Sequence, residues 1–60
     1  MKKIKVELTS GEEVFIKYSR DNVDLLESEI SGSLDYIQEL ETTENKIITS
    51  IDVLSYEVKT

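Results

Sequence analysis

The sequence contains no cysteine and no histidine. These two absences exclude disulfides, thiolate metal sites, thiol nucleophiles and the side chain that most often acts as a general base near neutral pH. The serines therefore have no imidazole to activate them. Only two glycines occur, Gly11 and Gly32, far apart in the chain. They cannot build a phosphate-cradling loop or a dinucleotide fingerprint. No apolar run approaches the roughly 18–20 residues that a membrane-spanning helix needs. Met1-Lys2-Lys3 opens like a secretory leader, but Lys5 and Glu7 interrupt any apolar stretch. A cytoplasmic protein with no membrane attachment is expected.

What is plentiful is acid. Thirteen Asp and Glu stand against seven Lys and Arg, a net charge of −6. The balance is uneven: residues 1–20 hold five basic side chains and three acids, whereas residues 21–60 hold two basic side chains and ten acids. Affinity for a phosphate backbone comes largely from Lys and Arg neutralising phosphates, so direct nucleic-acid binding is not expected. A partner protein with a basic surface fits this charge better, as does solubility alone. Asp21, Asp24 and Glu27 recur at i, i+3, i+6 and could in principle share a hard cation. Their spacing matches no ion-binding loop, and a solvated helix face accounts for them, so neither a metal nor a cofactor is expected.

Sixty residues make one domain, 1–60. A chain of this size buries only roughly 60% of its unfolded surface, and such a core rarely supplies more than about 3–5 kcal/mol. With no covalent or metal staple, self-association is the expected remedy, and a homodimer is its simplest form. At 38% hydrophobic and 33% charged residues the chain is still too apolar and too well patterned to be disordered.

The patterning specifies short elements. Ile4, Val6 and Leu8 alternate with Lys3, Lys5 and Glu7, a half-buried strand, and Val14, Ile16 and Tyr18 alternate with Glu13, Phe15 and Lys17 in a second. Thr9-Ser10-Gly11-Glu12 is the turn between them. Opposing Leu8 with Val14, Val6 with Ile16 and Ile4 with Tyr18 keeps one face apolar and implies a bulged loop longer than two residues. Phe15, the only Phe, then lies on the outer face opposite Glu7, as a lone exposed residue or as an anchor for a dimer or partner contact.

Val23, Leu26 and Ile30, widened by Leu25, make the apolar stripe of a helix over Asp21–Ile30, capped by Asp21 or Asn22 and ended near Gly32. Leu34 and Ile37 continue the helical spacing, so a single helix reaching Glu41 is the alternative. A glycine within it would cost about 1 kcal/mol relative to Ala, and Leu34, Tyr36 and Leu40 also alternate as a strand. A break and a third strand is the reading adopted. Lys46–Thr49 forms a fourth strand, with Leu40 opposite Ile48, Glu41 opposite Ile47 and Asn45 at a left-handed hairpin position. Ser50-Ile51-Asp52 turns the corner into a last strand, Val53–Val58. The expected fold is α+β with the order ββαβββ: a small antiparallel sheet or partly open barrel with one short helix packed on it. Tyr18, Tyr36 and Tyr56 are expected on or near the apolar sheet face, packed with their hydroxyls at the rim.

The stretch Leu8-Thr9-Ser10-Gly11-Glu12-Glu13-Val14 resembles the Gly-centred hairpin that opens small β-rich proteins of bacteria and their phages. Glu39-Leu40-Glu41-Thr42, Lys46-Ile47-Ile48 and Ile51-Asp52-Val53-Leu54-Ser55-Tyr56-Glu57 resemble the way such proteins close. The resemblance spans most of the chain and carries no catalytic motif. It implies a compact, often self-associating domain of a type that phages also use to block host proteins.

These observations point away from an enzyme and toward a protein-binding module. Its sharpest form is a phage-encoded inhibitor that occludes a host defence or nucleic-acid enzyme with an acidic surface. Asp21, Asp24, Glu27, Asp35, Glu39 and Glu41 are the acids expected to face the partner, guiding encounter and choice. The alternative is a structural or assembly subunit acting through self-association. A nucleic-acid-binding barrel is a third class, marked by affinity that falls steeply with salt.

Overall fold

The computed structural model describes residues 2–60 and confirms a small α+β fold. Strands β1 (Lys3–Leu8) and β2 (Glu13–Lys17) lead into helix α1 (Arg20–Ser31). Strands β3 (Glu39–Glu41) and β4 (Ile47–Thr49) follow, then a 3-10 turn (Ser50–Asp52) and β5 (Val53–Lys59). The order is ββαβββ, as the hydrophobic alternation implies.

β1 is central, flanked by β2 and β5, with both pairings antiparallel. β3 and β4 form a separate two-stranded ladder. A single bridge between Ile16 and Thr42 joins the ladders, reinforced by the Thr43 amide donating to the Phe15 carbonyl at 2.9 Å. Lys46 Nζ, 2.6 Å from Glu12 Oε1, ties the β3–β4 hairpin to the β1–β2 turn. The sheet therefore curls, and the core fills its concave side with Ile4, Val6, Leu8, Val14, Ile16, Leu40, Ile48 and Val53, closed by Leu26 from α1. Val23, Leu25 and Tyr56 pack at its margin.

The β1–β2 register differs from the expected one by two residues: Ile4 opposes Ile16, Val6 opposes Val14, and Phe15 opposes Lys5 rather than Glu7. Both registers keep the same side chains on the apolar face, so hydrophobic pattern alone does not separate them. The turn does. Gly11 at φ 92° takes the left-handed position, its amide donates to the Leu8 carbonyl at 2.9 Å, and the Leu8 amide donates to the Glu12 carbonyl at 2.8 Å. This is a three-residue loop with a bulge at its glycine.

The helix starts earlier than expected. Ser19, extended at φ −156° and ψ 154°, is the cap, and its Oγ accepts from the Asn22 amide at 3.1 Å. Asn22 instead turns its side-chain amide to the Lys17 carbonyl at 2.9 Å, and Asp21 sits in the first turn where the helix dipole favours acid. Gly32, at φ 79°, ends the helix as expected. Ile30 does not join the core and is 50% exposed, because the stripe buries Leu26 with Val23 and Leu25 instead.

The third strand is shorter than the sequence reading. Residues 33–38 are irregular, with Tyr36 and Ile37 both more than 60% exposed. A strand needs a partner ladder, and β4 ends at Thr49, opposite Glu39, where the chain turns into the 3-10 turn. The rest of the hairpin follows the expectation: Leu40 opposes Ile48, Glu41 opposes Ile47, and Asn45 has φ 63°. Of the three tyrosines only Tyr56 packs against the core, while Tyr18 lies beyond β2 and is exposed.

Candidate interaction surface

The convex face of the three-stranded sheet is a grid of charge. Strand alternation puts Lys3, Lys5 and Glu7 of β1 outward, between Glu13, Phe15 and Lys17 of β2 and Ser55, Glu57 and Lys59 of β5. One end carries Lys17, Lys3 and Lys59 in a row, and the other carries Glu13, Glu7 and Ser55. Like charges directly opposed across strands are unfavourable, and neighbours relieve them here. Lys59 lies 2.8 Å from Glu57, and the Lys3 ammonium sits 4.3 Å from the centre of the Phe15 ring. In the middle, Lys5 lies 3.0 Å from Glu13. That hydrogen bond, with the charge of Glu13, holds the Lys5 ammonium above its ordinary pKa. The hydrogen bond from Lys59, with its charge, holds Glu57 below the usual carboxylate value.

Phe15 is thus half-buried within a polar grid rather than at the centre of an apolar patch. The lysine end opens on a groove of about 640 Å³ lined by Lys2, Lys3, Lys17, Glu41, Thr42, Thr43 and Asn45. Sequence reading did not single out this basic end. Its signal was present in the outward phase of Lys3 and Lys17.

The six acids are all exposed, in three settings. Asp21, Asp24 and Glu27 lie on α1, Asp35 lies in the irregular segment, and Glu39 and Glu41 flank buried Leu40 on β3. Glu41 shares the lysine-lined groove, so its surroundings differ from those of the helix acids. Among the described residues, the ion pairs within 4 Å use Glu12, Glu13 and Glu57, and none uses any of these six. No three carboxylates among the described residues are placed to hold a metal ion. No helix among the described residues is long and apolar enough to cross a membrane. Set against known proteins, the chain matches no family model, no curated protein and no solved structure.

Proposed function

We propose that this chain is a non-enzymatic protein-binding module that covers a basic surface of another protein, working in the cytoplasm as a homodimer. One observation supports this reading above the others. The acids that pair with lysines all belong to the β1–β2 hairpin and β5, whereas Asp21, Asp24, Glu27, Asp35, Glu39 and Glu41 are exposed and unpaired among the described residues. Exposed charge of one sign raises the rate of encounter with an opposite surface and suppresses wrong partners. Phe15 adds an aromatic anchor on the convex face. In its inhibitor form the acids take the place of nucleic-acid phosphates on a host defence or nucleic-acid enzyme, in keeping with the resemblance to small phage proteins.

The test is affinity capture with the wild type and with Asp21→Lys, Asp24→Lys, Glu27→Lys combined. The variant keeps its circular dichroism spectrum and loses its captured partner, and undiminished capture removes the electrostatic part of the proposal. A second reading, an assembly subunit, draws on the exposed apolar side chains Tyr36, Ile37, Ile47, Ile51 and Leu54. Light scattering separates the two: mass that grows with concentration past a dimer favours assembly, and a closed dimer favours the binding module.

A further inference from the structure

The outermost strand of the three-stranded sheet has an open edge. β5 is the longest strand of the chain at seven residues, and its only ladder partner is β1. The Val53 amide is taken by the Ser50 carbonyl of the 3-10 turn, and from Leu54 onward no other backbone or side-chain hydrogen bond among the described residues closes that edge. A long unpaired edge is a template for another strand, and folded proteins usually blunt it by shortness, a buried charge, a bulge or a cover. Here the register shift of the β1–β5 ladder is confined to the Val53 end, and the covering is incomplete. α1 leans against β5, yet Leu54 is 57% and Val58 38% exposed, with half-buried Tyr56 between them.

We propose that β5 pairs antiparallel with β5 of a second copy about a two-fold axis at Tyr56, making one six-stranded sheet across the dimer. The proposal rests on the reading that the chain self-associates, and it names the surface through which it does so. The occupant follows from register. A two-fold axis between residues would oppose apolar positions with Ser55, Glu57 or Lys59, so the axis must pass through a residue. An axis at Glu57 sets Glu57 against its own copy, a direct like-charge contact. An axis at Ser55 or Val58 leaves part of the strand unpaired. Of the remaining axes the one at Tyr56 pairs the longest stretch, Leu54–Val58, opposing Leu54 with Val58, Tyr56 with Tyr56, and Ser55 with Glu57. It leaves Lys59 and the bulged, turn-bonded Val53 outside the new ladder. Over those five residues the strand is complementary to itself, which is what an isologous two-fold interface requires. Phe15 lies on the convex face of β2, at the other side of β1, and stays free for a different partner.

The absence of cysteine makes the test clean. Chains carrying Ser55→Cys and Glu57→Cys, both exposed positions, are mixed and mildly oxidised. The register predicts a mixed disulfide forming roughly tenfold or more faster than the homodisulfide of either variant alone, since pairing raises the effective thiol concentration. Phe15→Cys serves as the comparison and crosslinks no faster than free thiols in solution. Light scattering on the wild type is read in parallel. A dimer that crosslinks through Phe15→Cys, or that forms no mixed 55–57 disulfide, overturns the β5 interface while leaving self-association in place. A monomer of 6.9 kDa at all concentrations overturns both.

Discussion

Among the described residues Thr42 and Ser50 are the two buried polar side chains, and each closes a turn from inside. Thr42 Oγ1 accepts from the amides of Glu44 at 3.3 Å and Lys46 at 3.1 Å, holding the β3–β4 hairpin around Asn45. Ser50 Oγ accepts from the Gln38 amide at 3.1 Å, while the Ser50 amide donates to the Gln38 carbonyl at 2.8 Å. Hydrophobicity ranks both residues as surface, but each lies two positions beyond a buried strand residue, Leu40 or Ile48, and the backbone groups it satisfies offset the cost of burying its hydroxyl. Thr42→Val keeps the shape and replaces the hydroxyl by a methyl group, so it leaves two amides without their acceptor. Stability in urea is expected to fall by roughly 1–3 kcal/mol. A variant as stable as the wild type would show that the hairpin holds its shape without the hydroxyl.

At the scale of elements, α1 has 12 residues and would be marginal alone in water. It persists because Leu26 is fully buried and because Ser19 and Gly32 terminate it cleanly. Ser19→Ala removes the oxygen that accepts from the Asn22 amide and is expected to cost about 1 kcal/mol. For a domain of this size that is a fall in Tm of roughly 4–8 °C, and calorimetry measures it directly. An unchanged Tm would transfer the cap to Asp21 or Asn22, the residues that the sequence favoured. Element order was legible: alternation marked β1, β2 and β5, i, i+3, i+7 spacing marked the helix, and Asn45 marked its hairpin. The alternation of Leu34, Tyr36 and Leu40 fails as a strand, because Leu34 and Tyr36 lie in the irregular segment. What escaped was anything decided by one local contact. The β1–β2 register turned on the left-handed Gly11, and β3 stopped where β4 ran out of residues to pair with. The acids were legible as a list, but their division into paired and unpaired sets required the fold for two of the three pairs. Lys5 meets Glu13 across the β1–β2 ladder and Lys46 meets Glu12 between two turns, whereas Glu57 and Lys59 are neighbours on one strand.

For the whole molecule, the net charge of −6 acts on stability and on partner binding in opposite directions. The three ion pairs are solvent-exposed and contribute little each, whereas most of the excess acid is unpaired and repels itself. Sodium chloride screens that repulsion over a Debye length of about 10 Å at 0.1 M. Raising it to about 0.5 M is expected to increase stability by about 0.5–1 kcal/mol, a rise in Tm of roughly 2–8 °C. The pH response has a defined shape. The folded pKa of Glu57 is lowered, so its contribution is present above the unfolded value and lost as pH falls through the folded one. The folded pKa of Lys5 is raised, so its contribution is present below the unfolded value and lost as pH rises through the folded one. Both edges lie outside pH 6–9, roughly, and no histidine titrates between them, so Tm is expected to stay flat across that interval. If the acidic surface holds a basic partner, the same salt series weakens capture through the screening that stabilises the fold. Capture that survives 0.5 M salt, roughly, while Tm rises would assign the partner contact to apolar side chains such as Phe15. A Tm that falls with salt would mean that the ion pairs of the convex face outweigh the repulsion among the unpaired acids.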